Sequence, residues 1–166
     1  MYNDRIKSGD DNMNSVRTMG MITILLFIIG CSNNEQARAQ KDVSVLVQEM
    51  ANAFRKQDTE FLLAHFPNEV LLIESGVIKT LSKDQMRNAK QQQFAIGNYE
   101  IENLQKPRIT VSSDGKTAYV ATQFAVKLTP NVNPTNTAQA KVASLLIFEK
   151  RNGRWYETVS CDTYGQ

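Results

Sequence analysis

The sequence is poor in the residues that build metal and nucleophilic sites, with one histidine and two cysteines among 166 residues. Cys31 and Cys161 do not belong to a Cys-x-x-Cys pair, so we predict no zinc site. The residues offer no phosphate-binding loop and no nucleophile–base pair, and we therefore predict no cofactor. A net charge of +2 without a basic cluster excludes an electrostatic basis for nucleic-acid binding.

The sequence also lacks a long apolar segment. The run from Met19 to Ile29 has about 11 residues, whereas a bilayer-spanning helix needs roughly 20. Its length is typical of the hydrophobic region of a signal peptide, and Arg17 supplies the preceding positive charge. The closing residues Ile28-Ile29-Gly30-Cys31 resemble the lipobox of a bacterial lipoprotein signal peptide. We therefore predict that Cys31 is lipidated; an uncleaved membrane anchor is the alternative.

The chain is predicted to have three parts, the first of which ends at the cleavage site before Cys31. Residues 1–30 are the predicted leader and lipoprotein signal peptide, residues 31–41 a polar tether, and residues 42–166 the folded domain. The predicted location is the bacterial cell envelope, with a lipid anchor in the membrane and the domain facing the periplasm or the exterior. Because lipid would consume Cys31, Cys161 is predicted to be a free thiol on a C-terminal strand.

Three helices are expected in the domain. Apolar residues recur at helical spacing from Val43 to Phe54, which predicts a first amphipathic helix. A second, short helix is predicted from Thr59 to His65, ending before Pro67. Ser82 followed by Gln85 is a capping-box pattern that opens a third helix, which ends near Gly97.

The remaining apolar segments alternate with turn residues and predict strands. Asp114-Gly115 and Asn152-Gly153 are hairpin signals. The predicted strands are Val70–Ile73, Val77–Thr80, Tyr99–Val111 with a break at Pro107, Thr117–Leu128, Ala140–Glu149 and Trp155–Thr163. Helices gathered beside a largely antiparallel sheet predict an α+β fold.

Three segments carry a family resemblance: residues 57–70, the turn at residues 113–118, and residues 150–155. With them the chain resembles the NTF2-like superfamily, in its SnoaL-like or DUF4440-like branch, over roughly residues 43–163. The resemblance implies a cone in which a curved antiparallel sheet wraps around N-terminal helices and leaves an apolar cavity. Such a cavity suits a small hydrophobic ligand. The superfamily contains enzymes, binding modules and dimerisation domains, so a homodimer stays open.

The resemblance also suggests candidate site residues. In ketosteroid isomerases of this superfamily a carboxylate after the first strand is the general base, and the matching position here is Glu74. The position of their oxyanion-binding tyrosine falls on Met50, which cannot donate a hydrogen bond. Because losing one such donor costs roughly 10²–10³ in rate, isomerase chemistry of that type is not expected. Glu74 then has the alternative interpretation of a solvated residue at a strand end.

His65 and Asp162 are the other acid–base candidates. His65 is the only histidine, and its alternative role is to cap a helix C-terminus. Asp162 lies on the last strand, where sequence alternation alone does not show which face it occupies. Aromatic residues are predicted to form the core and the pocket wall together: Phe54, Phe66, Tyr99, Tyr119, Phe124 and Trp155.

The sequence thus favours a membrane-anchored exported lipoprotein whose domain binds a small apolar ligand or a protein partner without catalysing a reaction. The alternative hypothesis is a SnoaL-like isomerase, cyclase or dehydratase that uses Glu74 or His65 as general base.

Overall fold

In the computed structural model of the chain, the backbone is described for residues 12–165 and the side chains for residues 34–165. The Cys31 side chain and the first eleven residues, which carry part of the predicted leader, lie outside the described parts. Among the described residues, no helix combines the length and the hydropathy that a membrane crossing requires.

Three helices form, as expected. They are α1 (Asn12–Arg55), α2 (Thr59–Ala64) and α3 (Lys83–Ile96). The side chain of Asp58 caps α2 by accepting a hydrogen bond from the Phe61 amide at 3.0 Å. The capping box of α3 is confirmed, because the Gln85 amide donates to Ser82 Oγ at 3.2 Å and the Ser82 amide donates to Gln85 Oε1 at 2.8 Å.

The predicted tether differs from the structure. Residues 31–41 are part of α1, and Ala39 is buried in the core. The side-chain amide of Gln36 donates to the Val111 carbonyl at 2.8 Å. The reason is periodicity: Ala39 continues, one turn upstream, the apolar stripe that includes Val43 and Leu46. Polar composition on the other faces of the helix concealed this packing face, so the flexible tether is wrong for the residues from Gln36 onward.

Seven strands form one sheet. They are β1 (Glu69–Glu74), β2 (Val77–Ser82), β3 (Gly97–Asn103), β4 (Arg108–Val111), β5 (Thr117–Pro130), β6 (Ala138–Arg151) and β7 (Arg154–Gly165). The order across the sheet is β2-β1-β7-β6-β5-β3, and β4 also pairs with β5. All pairs are antiparallel except β1 with β7, so the sheet is mixed rather than wholly antiparallel. The α+β class is confirmed, with N-terminal helices followed by a curved, unclosed sheet.

The predicted hairpin between β6 and β7 is present. Asn152 and Gly153 both have positive φ, 51° and 79°, which fits a type I′ turn. Beyond this turn the register shifts: Phe148 pairs with Glu157, whereas Ile147 pairs with Val159. Thr158 is the extra residue of this β-bulge. Because one residue is inserted, the side chains of β7 exchange faces at the bulge.

Two apolar clusters form the core between the sheet and the helices. The first core consists of Ala39, Val43, Leu46, Val111, Ala118, Val120, Phe148 and Trp155. The second core consists of Ala53, Leu62, Leu63, Phe66, Val70, Met86 and Phe94. We call the sheet face that carries Phe148 and Trp155 the inner face, since α1 covers it. Met50 packs against both cores.

Candidate functional site

Polar groups collect on the inner face, from Glu157 at the bulge to the strand ends beyond it. We call this group the polar cluster; its members are Glu74 on β1, Lys90 on α3, Ser144 on β6, and Glu157, Ser160, Asp162 and Tyr164 on β7. Among the side chains of residues 34–165, Glu157 and Ser144 are the buried polar ones, with 6% and 7% of their surface exposed. Burying polar groups opposes folding unless they are paired, so the arrangement calls for an explanation.

Glu157 is the most buried acid of the cluster. It shares the inner face with Trp155, two residues earlier, and its amide donates to the His65 carbonyl at 2.8 Å. Burial raises the pKa of its carboxyl from 4.5 to about 7, although the Lys90 ammonium opposes the rise. Asp162 raises this pKa further, and a hydrogen bond with Ser160 lowers it. The carboxyl is therefore poised to exchange a proton near neutral pH.

Lys90 supplies the cation that faces these acids. It stands one turn from Met86 and one turn from Phe94, both buried, so it occupies the core-facing stripe of α3. Its ammonium lies 5.1 Å from the centre of the Phe54 ring and donates to Gln93 Oε1 at 3.1 Å. Burial lowers the pKa of Lys90, and the carboxylates of the polar cluster oppose that change.

Asp162 does face inward. It pairs in register with Ser144, and the Ser144 hydroxyl donates to Asp162 Oδ1 at 2.5 Å. The bulge at Thr158 explains this orientation: with uninterrupted alternation from Trp155, Cys161 would face inward in its place. Sequence alternation could therefore place Glu157 but not Asp162.

Glu74 lies at the solvent-exposed edge of the cluster. It pairs in register with Asp162, and the Tyr164 hydroxyl donates to Glu74 Oε1 at 2.7 Å. Chiefly because of this hydrogen bond, the pKa of Glu74 is lowered, with a smaller contribution from Lys79 at 3.5 Å. Burial, followed by Glu74 itself, raises the pKa of Tyr164. Glu74 is therefore a stabilised carboxylate and a weak base.

His65 is held apart from these groups. Its Nδ1 lies 3.2 Å from the Trp155 carbonyl oxygen, which can only accept, so Nδ1 carries the proton. The ring lies 5.1 Å from the Phe61 ring, and the His65 amide donates to the Leu62 carbonyl at the end of α2. Burial is the main reason that the pKa of His65 is lowered. His65 thus takes the C-cap position of α2 through its backbone amide, whereas its ring bonds to β7 rather than to a helix carbonyl.

The predicted aromatic wall is partly present. Phe54, Phe94 and Tyr99 meet edge to face, with ring centres 5.1–6.3 Å apart. Phe66 and Trp155 are buried in the two cores, and the Trp155 indole nitrogen has no hydrogen-bond partner among the described residues. Phe124 lies on the inner face, because it pairs in register with the buried Val142.

Tyr119 was predicted to belong to the aromatic wall, but it lies on the outer face of the sheet. It is 50% exposed, and it pairs with Ile147 on the outer face of the sheet. Because its neighbour Val120 is buried in the first core, strand alternation directs Tyr119 away from the interior. Leu145 is also exposed, beside the free thiol of Cys161 on the same outer face. The homodimer that the family resemblance left open stays a prediction for this face.

A surface groove of about 770 Å³ lies elsewhere, lined by Phe66, Pro67, Asn68, Glu69, Lys83, Arg151, Asn152 and Tyr156. Glu69 and Glu74 are at opposite ends of β1, about 16 Å apart at the usual strand rise. The groove is therefore separate from the titratable groups of the inner face, and we regard the polar cluster as the candidate site. The described residues contain no group of three or more metal-ligating side chains.

Comparisons with known proteins agree with this architecture. Among solved structures, an NTF2-like superfamily protein from Salmonella enterica has 12% identity and a TM-score of 0.68, over 78% of this chain and 93% of that one. LinA has 10% identity and a TM-score of 0.68, over 81% of this chain and 91% of that one. A ketosteroid isomerase-like protein from Erwinia carotovora has 16% identity and a TM-score of 0.60, over 74% and 92%.

At these identities the solved structures establish the fold alone. No curated protein matches the chain. The family model described as the SnoaL-like domain matches residues 43–158, well over half of the chain. The chain therefore belongs to the SnoaL-like domain family and has the NTF2-like fold.

Proposed function

We propose that this protein is an exported, lipid-anchored SnoaL-like domain that binds a small, mainly apolar ligand between the aromatic side chains of α1 and α3 and the polar cluster. The observation that carries the proposal is Glu157, an acid on the inner face with 6% of its surface exposed; burial raises its pKa to about 7, and the Lys90 charge opposes the rise. Strongly perturbed ionisable groups that gather in a partly enclosed site are typical of functional sites.

Stability alone does not account for the cluster. A buried ion pair often contributes no more to folding than apolar residues of the same volume, because desolvation offsets the attraction. The other half of the same inner face is filled by residues such as Val120 and Phe148, which shows that this sheet accommodates an apolar core. The acids on β7 are therefore better explained by ligand contact than by folding.

The surroundings indicate the chemistry of the ligand. Small-molecule sites combine an apolar wall with a few converging polar groups. Phe54, Phe94 and Tyr99 supply the wall, and Glu157 and Lys90 supply an acid and a cation. A ligand with an apolar body and one polar end would match both parts.

Binding without turnover remains the leading hypothesis, because the two predicted bases are poorly suited to catalysis. Glu74 has a lowered pKa, and the His65 ring is held by the β7 backbone. Met50 packs between the two cores, and its side chain has no hydrogen to donate to an oxyanion.

The second candidate function is proton transfer in an isomerase or dehydratase reaction, with Glu157 in place of Glu74 or His65. A general base works best when its pKa is near the ambient pH, and Glu157 meets that condition. Turnover that disappears in Glu157→Gln and persists in both Glu74→Gln and His65→Ala would favour this candidate.

The lipid anchor is supported by the lipobox-like residues that end in Cys31. Gln36, five residues later, already hydrogen-bonds to β4. Five helical residues span about 7–8 Å, so an anchor at Cys31 would hold the β4–β5 end of the domain close to the membrane. Palmitate labelling that is lost in Cys31→Ser would support the anchor, and unchanged labelling would refute it.

The ligand site can be tested with the full chain in detergent micelles and N-phenylnaphthylamine, a neutral apolar dye. Phe54→Ala removes an inner aromatic ring, and Tyr119→Ala is the matched control on the outer face. We expect Phe54→Ala to weaken dye binding roughly tenfold, the effect of losing one buried aromatic contact, and Tyr119→Ala to leave it unchanged. Equal effects of the two changes, or no dye binding, would refute the site.

The same dye tests the role of Glu157. Ionisation gives the site a negative charge, so the affinity for a neutral apolar probe should fall as the pH rises through about 7. Glu157→Gln should bind the dye with an affinity that is independent of pH across this range. A decline that persists in the variant would assign the effect to another group.

A further inference from the structure

Lys90 differs from the other lysines near the site. Lys79 lies on the exposed β2 and is joined to Glu74, and Lys83 is the first residue of α3 and lines the separate surface groove. Lys90 alone among these three places its nitrogen against an aromatic ring, at 5.1 Å from the centre of Phe54. It projects from a helix position between two buried residues, where an apolar side chain would be expected.

We propose that Lys90 is a nucleophilic amine that captures an apolar aldehyde or ketone as an imine, with Glu157 as the group that transfers the protons. The proposal rests on the ligand site proposed above and adds the chemical class of ligand and the atom that holds it.

The environment shifts the Lys90 ammonium towards the neutral amine. Lysine amines become nucleophiles when an apolar environment removes water from the ammonium. Here the lowered pKa of Lys90 agrees with that effect, since desolvation outweighs the opposing charges. The groups that face Lys90 are the Phe54 ring on α1, Gln93 on α3, Glu74 on β1, and Glu157 and Asp162 on β7.

Glu157 is suited to assist. The neutral Lys90 nitrogen attacks the carbonyl carbon and forms a carbinolamine, whose nitrogen gives up a proton and whose oxygen gains one. The protonated hydroxyl then leaves as water while the C=N bond forms. One amine and one carbonyl compound thus yield one imine and one water, without oxidation or reduction. A carboxyl with a pKa of about 7 can both donate and recover the protons at neutral pH.

The side chains around Lys90 also limit which carbonyl compounds can bind. The adjoining wall consists of the rings of Phe54, Phe94 and Tyr99, which favours an apolar substituent. The carboxylates of Glu74 and Asp162 repel an anionic one, such as a keto acid. Lys90 itself is partly exposed, and Tyr164 at the edge of the cluster is 54% exposed. A neutral aromatic aldehyde is therefore a suitable probe.

Benzaldehyde with sodium cyanoborohydride, applied to the full chain in detergent micelles, tests the proposal. Cyanoborohydride reduces an imine to a stable secondary amine, which peptide mapping by mass spectrometry assigns to one lysine. At neutral pH we expect a severalfold excess of adduct at Lys90 over the internal controls Lys79 and Lys83, because a lowered pKa raises the neutral fraction of the amine. Lys90→Arg, which keeps the charge, should remove that adduct alone.

Glu157→Gln provides a second readout. The rate of adduct formation at Lys90 should fall, and its maximum near neutral pH should disappear, whereas the slow labelling of Lys83 should not change. Labelling of Lys90 no faster than that of Lys83 would overturn the proposal.

Dye binding distinguishes failure of the imine proposal from failure of the proposed ligand site. If N-phenylnaphthylamine binds and responds to Phe54→Ala but Lys90 is not selectively labelled, the site stands and the imine is refuted. If neither occurs, both are refuted.

Discussion

The inner face of β6 and β7 has two halves that differ in composition although they belong to the same two strands. Before the bulge, Phe148 and Trp155 pack with α1 in the first core. Beyond it, Ser144 and Asp162 pair across the same strands and face Lys90. The boundary is Glu157, which pairs with Phe148 yet carries a carboxyl. One half is an apolar core that stabilises the fold, and we propose that the other half is kept polar for a ligand.

The largest loss of stability should follow from truncating a side chain in the apolar half. Phe148 is completely buried, so Phe148→Ala should lower the free energy of unfolding by about 3–5 kcal/mol. Urea denaturation measures this loss. The matched change in the polar half, Ser144→Ala, should have a much smaller effect. Similar losses for the two variants would contradict the division between a stabilising and a functional half.

The second effect concerns pH and Glu157. Folding raises its pKa, so the folded state binds the proton more tightly than the unfolded state does. The resulting stabilisation of the fold is fully present below pH 4.5 and is lost as the pH rises to about 7. The loss amounts to roughly 3 kcal/mol for a shift from 4.5 to about 7. In Glu157→Gln this decline between pH 4.5 and 7 should disappear, which urea denaturation at a series of pH values would measure. An unchanged decline would show that Glu157 does not cause it.

A third, smaller effect should follow from removing the cation. The Lys90 ammonium lowers the pKa of Glu157, so Lys90→Met should raise that pKa further. The decline of stability with pH would then continue above pH 7. Lys83→Met, on the first turn of the same helix, is the matched control and should keep the wild-type profile. Coincident profiles of the two variants would contradict the assigned pairing.

The smallest effect is expected at the exposed edge. Tyr164→Phe removes the hydrogen bond to Glu74, so the pKa of Glu74 should rise towards 4.5. The free energy of unfolding should change by less than about 1 kcal/mol, because both side chains are accessible to water. NMR titration of the Glu74 carboxyl checks the first expectation. A pKa that stays at its wild-type value would assign its lowering to Lys79.

Much of the fold could be predicted because its signals are local. The Ser82–Gln85 capping box and the Asn152-Gly153 turn depend on residues next to each other in the chain, and both form as expected. The start of the packed part of α1 could not be predicted in this way. The contact between Gln36 and Val111 joins residues 75 positions apart, and only the folded sheet brings them together.

The site was less predictable, for two reasons. A β-bulge leaves no fixed sequence pattern, and the bulge at Thr158 decides that Asp162 rather than Cys161 faces inward. Lys90 did leave a signal, a lysine between Met86 and Phe94 in an apolar helical stripe, but an exposed side chain at that spacing was the ordinary expectation. Glu157 is in phase with the core residue Trp155, and that alternation could have identified it.

The polar half of the inner face depends on an acid inside the fold that ionises near neutral pH. Carbon-13 NMR of the Glu157 side-chain carboxyl, assigned by its absence in Glu157→Gln and followed from pH 3 to 9, tests it directly. We predict a titration midpoint of about 7. A midpoint near 4.5, the value for an exposed glutamate, would contradict this prediction and remove the basis for a functional polar half.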